Sequence, residues 1–177
     1  MMKTKLLVAL LAATSFASSA MTLTSQDIQE GSRMANTFAY NGFGCTGDNL
    51  SPQLSWSDAP EGTKSFAITA FDPDAPTGSG WWHWVALDIP ASTHSVKRGA
   101  SGDIKGAKEM GNDYGATGFG GACPPKGHGM HRYQFTVWAL PSETLGLPEK
   151  PSNALIGYML NSSALDKATL TATFVTE

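Results

Sequence analysis

Four stretches of this chain place apolar residues at every second position, a period that extended strands satisfy and helices do not. In Ser65–Asp72, one face collects Phe66, Ile68, Ala70 and Asp72. In Trp81–Ile89 the face takes Trp81, His83, Val85, Leu87 and Ile89, and in His131–Leu140 it takes His131, Tyr133, Phe135, Val137 and Ala139. Thr169–Val175 repeats the pattern with Leu170, Ala172 and Phe174, and Leu54–Trp56 is a shorter candidate before the Ala59-Pro60-Glu61-Gly62 turn. Helical signals are confined to Ala154–Leu160, with Ser152 or Asn153 as cap, and to a small capping box at Ser163–Asp166. With 19 Gly, 10 Pro and only 15% charged residues, the composition favours short strands and tight loops over a helical bundle. No repeat or linker divides the chain. The expected fold is mainly β: one domain of two packed antiparallel sheets with short C-terminal helices.

Residues 1–20 stand apart from this pattern. Lys3 and Lys5, the apolar run Leu6–Ala13 and the small residues Ser18-Ser19-Ala20 form the three parts of a secretory signal peptide. The run is too short to span a bilayer, which takes about 20 residues, so the reading is a cleaved signal rather than an anchor. The domain is then 21–177, and the loss of Lys3 and Lys5 makes it more acidic than the precursor's net charge of −3. An acidic surface argues against non-specific nucleic-acid binding. The expectation is a periplasmic protein that is not integral to the membrane. Export also gives meaning to Cys45 and Cys123, both in glycine-rich loops. In an oxidising compartment a lone pair reads as one disulfide; two buried free thiols are the alternative. A Cys–His metal site lacks the paired spacing it needs.

The polar residues on the apolar faces carry the functional signal. Asp72 ends one strand, His83 lies near the start of the next, and the turn-rich Pro73–Gly80 joins them. His131 and Tyr133 open a third strand after another turn-rich connection. Three strand ends can thus bring an Asp, two His and a Tyr to one mouth of the sandwich. Each has an ordinary explanation: core histidines bonded to backbone, an Asp-Pro turn, an edge tyrosine. Together they are costly, because each polar group buried without a partner costs roughly 1–3 kcal/mol. His128, between two glycines, reads as exposed, and His94 as solvent-facing. The mouth suits a small phosphate- or carboxylate-bearing ligand, with backbone N–H groups of Gly118–Ala122 converging on it in an anion nest. A phosphoester or carboxyester hydrolase using Asp72, His83 or His131 as base is the alternative, but Gly78-Ser79-Gly80 is not a nucleophile elbow. No Walker A, GxGxxG or HExxH motif is present. Spacing supports zinc at Asp72, His83 and His131 only weakly, and no cofactor or metal is expected.

Asp72-Pro-Asp-Ala-Pro76, Trp82-His83-Trp84 and the run from Cys123-Pro-Pro-Lys-Gly127 to Met130-His-Arg-Tyr133 resemble the phosphatidylethanolamine-binding protein family. The likeness is strongest to its bacterial YbhB/YbcL-type branch, called Raf kinase inhibitor-like, and runs from Asn36 to the last strand. It implies a Greek-key β-sandwich with an anion pocket at one end. By motif, the pocket residues are Asp72, Pro76, Trp81, His83, Cys123, His131 and Tyr133, with backbone donors from the loop ending at Cys123-Pro124. Trp82 stands where many eukaryotic members carry a second His. The C-terminal helix flanking the pocket in mammalian members has no counterpart after Thr169–Val175, so a partner or solvent borders that side. The resemblance further implies a homodimer and a non-catalytic binder of a small anionic ligand, with a phospholipid head group among the candidates. A protease-inhibitor or other protein-interaction role, using loops around Asn112–Phe119, is a further alternative.

Overall fold

The computed structural model describes residues 20–177, so all but the last residue of the expected signal peptide lies outside the described residues. The strands are β1 (Thr22–Thr24), β2 (Asn41–Gly42), β3 (Cys45–Thr46), β4 (Leu54–Ser57), β5 (Ser65–Asp72), β6 (Trp81–Pro90), β7 (Ser95–Val96), β8 (Lys108–Glu109), β9 (His131–Leu140) and β10 (Asp166–Phe174). One helix, α1 (Asn153–Ser163), lies between β9 and β10. Five strands form an antiparallel sheet in the order β10-β9-β5-β6-β8, three form a second sheet, β1-β4-β7, and β2-β3 is a separate hairpin. This is the mainly β, antiparallel architecture that the alternation predicts.

Between the sheets lies a core of Phe66, Ile68 and Ala70 from β5, Phe135, Val137 and Ala139 from β9, and Leu170, Ala172 and Phe174 from β10, packed with Leu54, Trp56 and Val96. The other face of the large sheet is buried too, with Ala67, Val85, Leu87, Trp138 and Leu140 packed against Ile156 and Leu160 of α1. This second cover explains the one strand whose face the alternation misassigns. On β6, Ala70 pairs with Trp84 and Phe71 with Trp82, which leaves His83 as an extra residue. A bulge of this kind reverses the inward–outward parity beyond it. Trp84 and Ala86 therefore join the inner core, while Val85 and Leu87, expected beside His83, face the helix. A second shift near Asp88, at φ 59°, returns Ile89 to the inner core. Apolar residues on both faces hide such a change from any alternation rule.

The helix starts as expected: the Ser152 side chain accepts from the Leu155 N–H at 3.2 Å. Ser163–Asp166 is not a second cap. The helix ends at Ala164, and Asp166 opens β10, where its carboxylate accepts the Met21 and Lys167 N–H groups. C-terminal to β9, a single α-helix stands where short helices were expected. A disulfide joins Cys45 to Cys123 across 78 positions and pins the β2–β3 hairpin to the loop preceding β9.

Candidate functional site

Asp72 is the last residue of β5, His131 and Tyr133 open the neighbouring β9, and Trp81 and His83 open β6 on the other side. Antiparallel order puts these ends at one rim, and a cavity of about 180 Å³ opens there. Every residue singled out from the sequence lines it: Asp72, Pro76, Trp81, His83, Cys123, His131 and Tyr133. Phe43 and Tyr114 also line it without having been singled out from the sequence, as does Pro125 of the Cys123–Gly127 motif. They arrive from the hairpin and loops. Tyr114 stacks on Tyr40 with ring centroids 3.9 Å apart, and Phe43 packs against both rings.

The buried centre is a chain of acid and imidazoles. Asp72, 2% exposed, accepts the Asp74 backbone N–H on Oδ1 at 2.8 Å and bonds His131 Nδ1 through Oδ2 at 2.7 Å. The carboxylate contact fixes the proton on Nδ1. His131 Nε2 lies 2.7 Å from His128 Nδ1. His128 is indeed exposed, but as the outer end of this chain rather than as a free residue. Both nitrogens of His131 are therefore engaged by protein groups. Beside this chain, Asp74 accepts three hydrogen bonds from Arg132, and the guanidinium holds the Asp74 carboxyl down at about 2.

His83 is held differently. Its Nδ1 donates to the Gly120 carbonyl at 2.7 Å, and the ring is 3% exposed. Burial pushes its pKa below the usual 6.5, with the Gly120 carbonyl and the Asp72 charge opposing. Nδ1 carries the proton of a neutral ring, which leaves Nε2 an acceptor. The unfolded chain then binds a proton more readily than the folded protein, so stability falls as pH drops below about 6.5, by at most ~1.4 kcal/mol per unit from this group. Urea unfolding above and below that value should show the loss in the native protein and a shallower slope in His83→Gln; equal slopes would remove His83 as the cause.

Two donors on pocket-lining residues have no acceptor among the described residues. Trp81 Nε1 and the Tyr133 hydroxyl are buried and without hydrogen-bond partners. Burial, then the Asp72 charge, pushes the Tyr133 pKa well above that of a free tyrosine, against a smaller opposing pull from the Cys123 backbone, so the group stays a protonated donor. The expected anion nest is not available. The N–H groups of Gly118, Phe119, Gly120, Gly121 and Ala122 bond Met110 O, Ser101 Oγ, His83 O, Asn49 Oδ1 and Phe38 O respectively. Glycine is needed there for close packing instead. A Cβ on Gly121 would sit 2.5 Å from the Phe38 carbonyl oxygen, and one on Gly120 would sit 2.5 Å from the Tyr114 ring. The Asn112–Phe119 loop is internally fastened as well, since buried Asn112 accepts the Tyr114 and Ala116 N–H groups and donates to Gly118 O.

The arrangement can hold a small polar molecule in an aromatic-walled recess. Among the described residues, no group of three or more His, Cys, Asp or Glu side chains is placed to hold a metal ion, and no helix is long and apolar enough to cross a membrane.

Comparison with known proteins supplies the lineage. A family model described as phosphatidylethanolamine-binding protein matches residues 24–175. The chain is 47% identical over 180 residues to YbcL of Escherichia coli, covering 98% of each sequence, and 44% identical to YbhB of the same organism, covering 87% of this chain and 99% of YbhB. The crystal structure of E. coli YbcL, described as a new member of the mammalian PEBP family, superposes with a TM-score of 0.86 over 90% of this chain and all of that one. A relative in Mycobacterium tuberculosis, LppC, carries a lipoprotein name and is 34% identical over 75% of this chain and 63% of its own length. A match spanning nearly all of the described residues, shared with relatives above 40% identity, means that the chain belongs to the phosphatidylethanolamine-binding protein family.

Proposed function

We propose that this protein is an exported, non-catalytic binding protein whose strand-end pocket takes a small phosphate-type anion. The observation that carries the reading is the pair of buried donors without a partner among the described residues, Trp81 Nε1 and Tyr133 Oη, on two side chains that line one cavity. Leaving such groups unpaired costs roughly 1–3 kcal/mol each, and an anionic oxygen facing them recovers that cost on binding. Binding rather than turnover is supported by His131, whose two nitrogens are committed to Asp72 and His128 and not to the cavity. Apart from the tyrosines, the hydroxyl and sulfur side chains that line the pocket are engaged elsewhere: Thr77 donates to the Gly80 carbonyl and Cys123 is held in the disulfide. Export to the periplasm is part of the proposal. It draws on the signal-like first twenty residues, the Cys45–Cys123 disulfide and the lipoprotein name of LppC.

Calorimetric titration with phosphoethanolamine at about pH 5.5 tests the reading. The native protein should bind, and Trp81→Phe, which keeps a ring but loses the N–H, should bind about tenfold more weakly, the value of one hydrogen bond to an ion. Failure of the native protein to bind would overturn the proposal. A phosphoester and carboxyester panel should give no turnover; turnover that vanishes in Asp72→Ala would favour the hydrolase alternative.

A further inference from the structure

The polar atoms of the pocket are mismatched to a fully deprotonated phosphate. Beside the donors Trp81 Nε1–H and Tyr133 Oη–H stand two acceptors. One is His83 Nε2, which has no partner among the described residues once Nδ1 has donated to Gly120. The other is the Asp72 carboxylate, whose oxygens each accept one internal N–H and keep a lone pair. Among the described residues no Lys or Arg lines the cavity, and neighbouring Arg132 is locked on Asp74. The five N–H groups of Gly118–Ala122 are spent inside the protein. A dianion placed here meets a carboxylate and an imidazole lone pair without a compensating cation. A ligand that accepts from the two donors and also carries one acid proton satisfies both of them and His83 Nε2, and it brings less negative charge up to Asp72 than a dianion does.

We propose that the pocket selects phosphomonoesters in their monoanionic P–OH form, with the acid proton donated to His83 Nε2, and discriminates against phosphodiesters, which have no such proton. This rests on the anion-pocket reading above and narrows it: the preferred ligand is a free phosphomonoester, not the diester head group of an intact phospholipid. The groups facing His83 are Asp72 from β5, Tyr133 from β9, and Tyr114 and Asp113 from the loop after β8. None of them is a cation that would reverse the preference.

Methyl phosphate and dimethyl phosphate separate the terms, because both meet the same protein groups and only the first carries an acid proton. Each is titrated calorimetrically between about pH 5 and about pH 8. Methyl phosphate loses its second proton near pH 6, so its affinity should fall by up to about tenfold per unit above that. Dimethyl phosphate should bind at least about tenfold more weakly at about pH 5, and its own pH slope reports whatever the protein's groups contribute. In His83→Phe the two ligands should converge to within about threefold, the donor–acceptor match being gone. A diester that binds as tightly as the monoester, or a monoester that tightens as pH rises, overturns the inference while leaving the anion pocket standing. If neither ligand binds, the anion-pocket reading fails and the inference with it.

Discussion

Replacing both cysteines, Cys45→Ser with Cys123→Ser, should lower the melting temperature by on the order of 10 °C. The bond closes a loop of 78 residues, and in the chain-entropy account such a closure destabilises the unfolded state by about 4.5 kcal/mol. For a domain of this size each kcal/mol moves the midpoint by roughly 2–4 °C. The effect on the pocket should be smaller than the effect on stability. The hairpin remains tied at its base by the Tyr40 N–H donating to Ala122 O at 2.9 Å and by the Tyr40–Tyr114 stack. Its tip, Phe43, keeps only ring contacts and sits at a φ of 51°, a conformation disfavoured for a bulky residue. Differential scanning calorimetry of the double variant checks this. A shift of less than about 3 °C would mean that the loop is constrained in the unfolded chain without the bond.

Asp72→Ala should cost about 2–6 kcal/mol of stability, at roughly 1–3 kcal/mol for each of the two buried donors that lose their acceptor. Nothing else among the described residues can take over its two bonds: the Asp74 N–H and His131 Nδ1–H would both lose their acceptor in a site 1–2% exposed. Asp72→Asn should be milder, because the amide can donate to His131 Nδ1 once the ring moves its proton to Nε2 and donates to His128 instead. Nitrogen-15 imidazole spectra should record that exchange of tautomers, which a purely steric role for Asp72 would not produce. Urea unfolding gives the energies; a loss below about 1 kcal/mol in the alanine variant would contradict a buried, charge-assisted centre.

Much of the fold was legible because the hydrophobic face of each long strand repeats with period two. Ser65–Asp72 and His131–Leu140 match β5 and β9 residue for residue, and the lone cysteine pair joins as its reading from the sequence expects. Asp72, His83, His131 and Tyr133 were legible for a related reason, since a polar side chain on an apolar face stands out, whereas Pro76, Trp81 and Cys123 came from the family motifs. What stayed hidden has physical causes. The bulge at His83 leaves no trace in a strand buried on both faces. The glycines of Gly118–Ala122 look alike whether they free N–H groups for an anion or admit a neighbouring backbone, and only the hydrogen bonds distinguish the two. Phe43 and Tyr114 reach the pocket through a disulfide-tied hairpin and an Asn112-centred turn, contacts distant in sequence. His128 was recognisable as exposed, but its bond to His131 depends on a three-residue loop geometry that no periodicity encodes.

Donors kept unpaired for a ligand are the heart of the proposed pocket, and Tyr133→Phe tests them with two readouts on one protein. The hydroxyl is buried and has no hydrogen-bond partner, so its removal should leave stability unchanged or raise it, by up to about 1–3 kcal/mol. The same change should weaken phosphoethanolamine binding about tenfold. Urea unfolding and calorimetric titration, run side by side on the native protein and the Tyr133→Phe variant, give both numbers. Stability kept and affinity lost is the predicted result. Stability lost with affinity kept would make the tyrosine part of the scaffold and contradict a ligand-binding pocket.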